Sequence, residues 1–253
     1  MKKITILLIS LLISSGVFAA EPVRDGYDIV RQAFSMWRGQ QSASSTMTMT
    51  ITRPDRTESM TLRSYSMGDT KSIAKFVAPA KYKGQAILVI GDSMWTYSPK
   101  SRRSIKIASS LKSKPWMGSD MSYDDIAVSL ESLSQYTYTV VSGTKDGVPV
   151  YIITAIPFKD APIVWGKEIY YIRKTDNAML AKEFFDQGGN MIRRFDALDI
   201  GYYNNDKTKP IMKHMRVTNL EKQGFFTDFI IEDTQFNIPL SADIFSLANL
   251  ERP

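Results

Sequence analysis

Chemistry in proteins is carried by a few residue types, and this chain of 253 residues is short of most of them. Its one histidine is His214, in Lys213-His-Met-Arg216, within a strand-like run. A lone histidine in such a place is more often a surface or hydrogen-bonded residue than a base. No serine sits in a Gly-x-Ser-x-Gly elbow, so a hydrolase triad has no support. There is no cysteine, and with a single histidine the usual zinc ligands are missing. Asp120, Asp124 and Asp125 cluster, but their spacing matches no calcium loop. Ser122 three residues before Asp125 reads instead as a capping box. The glycine pairs sit at turns, and no Gly-rich phosphate loop precedes a helix. Neither catalytic residue, metal nor cofactor is therefore expected, and a carboxylate-only hydrolase is the one enzymatic class left open.

What remains chemically distinctive is apolar. In Lys114-Pro-Trp-Met-Gly-Ser-Asp-Met-Ser-Tyr-Asp-Asp-Ile126, Pro115 and Gly118 break regular structure around Trp116 and Met117. The capping box then opens a helix whose stripe is Ile126, Leu130 and Leu133. Two bulky apolar side chains are thus held on an irregular loop just before a helix.

The elements around this loop are mostly strands. Asp25 caps a helix to about Arg38, with Val30, Ala33, Phe34 and Trp37 on one face. From Thr46 to Thr52 the pattern alternates strictly, with Met47, Met49 and Ile51 on one side, and Pro54-Asp55 turns the chain. Strand-like runs follow at Glu58–Met67, Lys71–Ala78, Gln85–Ile90, Met94–Ser98 and Arg103–Ile107. After the loop and helix they resume at Tyr136–Ser142, Val148–Ile156, Trp165–Arg173, Met179–Asp186, Met191–Tyr203, Ile211–Asn219 and Phe225–Thr234. Lys145-Asp146-Gly147 is a strong hairpin signal. Ala242 to Leu250 reads as a short helix or coil packed back on the body. The fold class is mainly β: one domain over residues 20–253, about 11–13 antiparallel strands with short helices.

The first residues read as a leader. Lys2 and Lys3 precede an apolar core from Ile4 to Ile13, and Val17-Phe-Ala19 suits a signal peptidase, with cleavage after Ala19 or, alternatively, Ala20. The expected mature protein is exported to the periplasm, soluble, and not lipidated, since lipidation needs a cysteine. The formal charge of +6 falls to +4 without Lys2 and Lys3. Between Asp92 and Asp120 every charged residue is basic: Lys100, Arg102, Arg103, Lys106, Lys112 and Lys114. Asp120, Asp124, Asp125 and Glu131 then reverse the sign. Such segregation orients a partner or makes transient contact with anionic headgroups, although a solvated surface is the commoner outcome. Export, modest charge and the lack of a recognition motif exclude nucleic acid.

The 13 methionines, 12 phenylalanines, 12 tyrosines and 4 tryptophans lose only Met1 and Phe18 to the leader. A wide sheet must cover one apolar face, by closing on itself or by enclosing a cavity, and methionine suits a cavity that repacks around its contents. Candidates for the lining are Met47, Met49, Ile51, Phe76, Leu88, Trp95, Tyr97, Trp165, Ile169 and Tyr171, with Trp116 and Met117 as lid or rim. Arg193, Arg194, Lys213 and Arg216 are cations inside strand-like runs, and some of them are placed to hold a helix lid.

Several motifs, in order, resemble the LolA/LolB-like outer-membrane lipoprotein-sorting family. They are Phe76-Val-Ala-Pro79 with Lys83-Gly84, Met94-Trp-Thr-Tyr-Ser-Pro99 with Arg102-Arg103, the Trp116-Met-Gly-Ser-Asp120…Tyr123-Asp-Asp125 segment, and Phe245…Leu250-Glu-Arg252. The similarity is greatest to the larger branch that accompanies RND-type exporters. It implies a strongly curved, incomplete β-barrel covered by helices, with an apolar cavity for lipid or lipoprotein acyl chains, and no enzymatic step. An accessory role beside an RND-type exporter without lipid carriage is the alternative, and an envelope hydrolase a weaker one.

Overall fold

The computed structural model describes residues 25–38, 40–127 and 130–252; the leader expected over residues 1–19 lies outside them. Helix α1 (Gly26–Arg38) begins after Asp25, whose carboxylate accepts a hydrogen bond from the Tyr27 amide at 3.1 Å. Its 3.6-residue stripe of Ile29, Val30, Ala33 and Phe34 is buried.

Strands β1 (Ser42–Arg53), β2 (Arg56–Met67), β3 (Lys71–Ala78), β4 (Ala86–Ile90), β5 (Ser93–Ser98) and β6 (Arg103–Lys106) step outward to one edge of the sheet. Residues 107–135, which include the short helix α2 (Tyr123–Ala127), cross to the opposite edge. The chain returns through β7 (Tyr136–Lys145), β8 (Val148–Pro157), β9 (Lys167–Arg173), β10 (Met179–Phe185), β11 (Met191–Tyr202), β12 (Pro210–Asn219) and β13 (Phe226–Phe236). β13 then pairs with β1, so one curved antiparallel sheet of 13 strands runs from β6 to β7, and those edges do not meet. It is an incomplete barrel at the upper end of the expected strand count.

Local chemistry sets the turns. Asp146 and Gly147 join β7 to β8 with φ of +51° and +79°, as a two-residue hairpin turn requires. Gly166, ahead of β9, lies so close to the β10–β11 connection that a Cβ there would be 2.3 Å from the Asp186 carbonyl oxygen. Of the helix expected through Leu133, the described residues hold α2 and a 3-10 turn, Glu131–Gln135, that buries Leu133.

Register defines two faces. Met47 lies opposite Leu62 and Leu62 opposite Phe76, while Met49 lies opposite both Met60 and Phe229. These form the inner face, covered by Trp116 and Met121 of the crossover. Farther along the same face, α1 packs on Ile153, Tyr170 and Ile172. The outer face of β3–β5 is covered by the C-terminal segment, where Phe245 and Leu250 pack on Ile73 and Leu88. Helix α3 (Leu247–Leu250) is fastened there by Lys75 Nζ, which donates to the Asn249 and Arg252 carbonyls at 2.5 and 2.9 Å.

Candidate ligand cavity

Between the inner face and the crossover lies a cavity of about 200 Å³. β1 to β4 contribute Met47, Leu62, Ala74 and Ile87; β12 and β13 contribute Met212, Met215, Phe229 and Ile231; the crossover contributes Trp116, Met121 and Ile126. The hydroxyl residues Ser45, Ser64, Ser66, Ser72 and Thr234 line the end near the β2–β3 turn, and Ser45 Oγ lies 2.8 Å from Thr234 Oγ1. The size is informative. Pockets that enclose drug-sized ligands measure about 300–1,000 Å³, so a bulky apolar guest needs more room than this closed form provides. Four of the wall residues are methionines, whose unbranched side chains re-pack at low cost.

The crossover is pinned by buried ionic contacts. Arg53, at the end of β1, donates from Nη1 to Asp120 Oδ2 at 2.9 Å and from Nη2 to the Gly118 carbonyl at 2.6 Å. Thr227 Oγ1 donates to the same carboxylate at 2.7 Å and accepts from the Asp120 amide at 3.0 Å. Arg193 of β11 grips Asp125 with two bonds, of 2.7 and 2.8 Å, and reaches the Asp120 carbonyl at 3.2 Å. Its guanidinium lies 4.7, 4.2 and 5.2 Å from the ring centroids of Trp165, Phe184 and Phe195. Asp125 also completes the capping box: its carboxylate accepts from the Ser122 amide at 2.7 Å, and its own amide donates to Ser122 Oγ at 3.2 Å. Two arginines from separate strands therefore hold the loop and the start of α2 over the cavity. Leu130, beyond α2, is tied to Asp69 of the β2–β3 turn at 2.9 Å.

A second ionic cluster lies under α1. Lys182 Nζ is 3.0 Å from Glu168 Oε1, and Tyr170 donates to Glu168 Oε2 at 2.6 Å. Burial pushes the Lys182 pKa down, with Glu168 opposing it, and burial raises Tyr170. Aromatic rings of Tyr170 and Phe184 enclose the ammonium at 4.7 and 4.4 Å. This is a satisfied internal pair with no nucleophile beside it.

Of the residues expected to line the cavity, Met47 and Trp116 do so. Met49, Ile51 and Phe76 share the inner face but are packed into the core beside it. Met117 is half-buried against that core, with φ of +54°. Leu88, Trp95 and Tyr97 stand on the outer face with the C-terminal segment, so β4 gives the cavity Ile87 and not Leu88. Ile169 and Tyr171 alternate with Glu168, Tyr170 and Ile172, and the latter three are the buried set. Trp165 packs at a tilt on Phe184, with ring centroids 5.0 Å apart, beside Arg193. Met121, Met212, Met215 and Phe229 were not among the candidates. For Met212, Met215 and Phe229 the signal is strand alternation, which becomes a face only once register is known; Met121, on the crossover loop, carries no periodic signal.

His214 is on the outer face, 2.9 Å from Asp228, which Arg216 also grips with two bonds, of 2.9 and 3.0 Å. Arg194 is paired with Asp196 on that face, and Lys213 is exposed. Among the described residues no group of three His, Cys, Asp or Glu side chains is placed to hold a metal, and no helix is long and apolar enough to cross a membrane.

A family model described only as uncharacterized-protein-like matches residues 68–252. None of the curated proteins matches the chain. Solved structures do. A domain from Vibrio parahaemolyticus, described as an outer membrane lipoprotein-sorting protein, has a TM-score of 0.79 at 24% identity, covering 90% of this chain and 98% of its own. A DUF1329 family protein from Desulfovibrio piger has a TM-score of 0.81 at 23% identity, covering 89% and 97%. A LolA superfamily protein from Nitrosomonas europaea has a TM-score of 0.73 at 17% identity, covering 89% and 99%. At these identities the shared property is the fold.

Proposed function

We propose a carrier role for this chain, which belongs to the uncharacterized-protein-like family whose model spans residues 68–252 and has the fold of the LolA superfamily. It takes up lipid or lipoprotein acyl chains beneath its crossover and moves them through the periplasm toward the outer membrane. The observation that carries this reading is the methionine-rich cavity under a segment latched by Arg53 and Arg193. Each buried methylene gains about 0.8 kcal/mol on leaving water, so free acyl chains do not cross an aqueous compartment readily. A soluble cavity lowers that barrier without covalent chemistry. The same property sets the design problem, because tight closure must alternate with release. A latch made of polar contacts answers it: such bonds are strong when dry and are exchanged for water when the segment lifts. The leader and the resemblance support a periplasmic location and an RND-type exporter as partner.

The test is native mass spectrometry of protein recovered from the periplasm, together with titration by a solvatochromic fatty-acid probe. Co-purified lipid, and saturable probe binding displaced by phospholipid or lipopeptide, are expected. A folded, monodisperse protein that binds no probe saturably overturns the carrier reading. A clean apo mass with a stable partner in pull-down would mark an accessory protein, and ester turnover a hydrolase.

A further inference from the structure

The hairpins gather cations that the sequence keeps apart. The β3–β4 connection, residues 79–85, brings Lys81 and Lys83, and the β5–β6 turn brings Lys100 and Arg102, with Arg103 opening β6. Both connections lie at one end of the sheet, because Ala86 faces Tyr97 and Ser98 faces Arg103. They touch: a Cβ at Gly84 would lie 3.2 Å from Pro99 Cγ. All five cations are exposed. Lys81 is bridged to Glu58 at 3.3 Å, while Lys83, Lys100, Arg102 and Arg103 have no ion pair among the described residues. Elsewhere exposed bases do find partners, as Lys209 does in Asp206 at 2.9 Å. Of the carboxylates near this end, Glu58 is held by Lys81 and the Tyr82 hydroxyl, Asp55 by Arg56 at 3.3 Å, and Glu251 by Ser104 Oγ at 2.7 Å.

Apolar groups accompany the charge. Val77, at the end of β3, is 39% exposed, and Ile105 on the edge strand β6 is 59% exposed. Cations beside exposed aliphatic side chains suit a surface that is anionic outside and hydrocarbon just beneath. The Gly118 carbonyl held by Arg53 is at this same end, since Arg53 and Arg56 flank the β1–β2 turn.

We propose that this basic end is a docking surface for anionic phospholipid headgroups, which sets the Trp116–Gly118 loop of the crossover against the bilayer. Its failure would leave the cavity and its carrier role untouched. Docking at this end brings the latched segment, and not the hydroxyl-lined end of the cavity, to the lipid.

The experiment is flotation of the whole mature chain with vesicles of phosphatidylcholine alone or mixed with phosphatidylglycerol, at low and high salt. The variant is Lys83→Glu/Lys100→Glu/Arg103→Glu, and the control reverses Lys207, Lys209 and Lys213 at the other end. Each cation near such a surface is worth about fivefold in partitioning, and reversal adds a repulsion to the lost attraction, so the triple variant should lose at least ~100-fold in partitioning while the control keeps its own. High salt should weaken wild-type binding. Fatty-acid probe affinity should be unchanged in both variants, which shows that the cavity is intact. Equal binding to neutral vesicles, equal losses in variant and control, or no vesicle binding by the wild type would each overturn the proposal. Retention by an acidic protein with no vesicle binding would do so too, and would reassign the surface.

Discussion

Removing the Asp125 carboxylate is the sharpest test of the latch. The pair it forms with Arg193 is buried on both sides, each side chain about 9% exposed. Breaking a buried ion pair by deleting one partner costs about 3–5 kcal/mol, because the other charge stays desolvated. The loss of the capping box adds about 1 kcal/mol. Asp125→Ala should therefore cost about 4–6 kcal/mol, a large share of the roughly 5–15 kcal/mol available to a native domain. Arg193 is left with the Asp120 carbonyl and three aromatic rings, and its Nε has no partner even in the intact protein. The strain is local, so amide exchange should rise first in residues 116–125, before the paired strands β1 and β13 open. Urea unfolding gives the stability loss, and the dissociation rate of the fatty-acid probe reports the lid. Arg193→Met combined with Asp125→Asn should recover much of the stability, since no charge is then buried, yet leave release fast. A loss of under about 1 kcal/mol for Asp125→Ala, or slow exchange in residues 116–125 with unchanged probe release, would refute the latch.

Other perturbations separate wall from rim. Trp116 is 3% exposed, with its ring 5.6 Å from Phe76, so Trp116→Ala should cost about 3–5 kcal/mol in urea unfolding and alter probe affinity as well. Met117→Gly should change the melting temperature little, because relief of the left-handed backbone offsets the half-buried side chain. Gly166→Ala should destabilise by about 2 kcal/mol or more, since the new methyl meets the Asp186 carbonyl, and thermal unfolding measures it. At Asp228 burial pushes the pKa up, but hydrogen bonds from Arg216 and His214 outweigh it, and the group titrates below the usual 3.8. Its stabilisation is then present above about pH 4 and lost as pH falls through the lowered value, so Asp228→Asn should flatten the acid limb of the stability profile. Were the mutant's acid limb as steep as the wild type's, Asp228 would not be a contributor.

The strands were legible because each is written twice, once in alternation and once in its turn. Thr46 to Thr52 alternates without a break, and Pro54-Asp55 can only turn; the observed β1 and β2 follow. Asp146-Gly147 names its hairpin in two residues. The closing topology was not legible. That β13 returns to β1 while β6 and β7 stay apart depends on contacts nearly 200 residues distant, such as Ala43 opposite Phe236. The segment around Leu133 also depends on a distant contact. The stripe of Ile126, Leu130 and Leu133 ends in a buried Leu133 on a 3-10 turn, and the Leu130 amide donates to Asp69, 61 positions away, which no local pattern could show.

The cavity was harder to read than the fold because carriers write their site in the same alphabet as their core. Where a strand alternates cleanly, as Met47 and Met49 do, the inward side is visible, and Met47 reaches the cavity. Where it is apolar on both sides, period two carries no direction. β4 is Ala-Ile-Leu-Val-Ile, nearly all buried because the crossover covers one face and Phe245 and Leu250 the other. β9 misleads further: Glu168 is on its buried side, which Lys182 and Tyr170 make tolerable, while Ile169 and Tyr171 turn outward. Buried charge gave the more durable signal. Arg193 stood out as a cation within a strand, and Asp125 as a capping carboxylate, and the fold joins them across 68 positions. Uptake then becomes a contest between that bond and the gain from burying an acyl chain. Lifting the segment returns both charges to water, so opening costs less than deleting one partner does; even at that ceiling of about 4 kcal/mol, some five methylenes at about 0.8 kcal/mol each are enough. A long chain therefore carries ample free energy to open the latch, and the surplus shrinks with each methylene removed. Probe chain length should set a threshold in affinity, measured across a homologous series, and Asp125→Ala should lower it. A series whose affinity rises smoothly from the shortest member, identically in both proteins, would show that the latch stands outside the binding step.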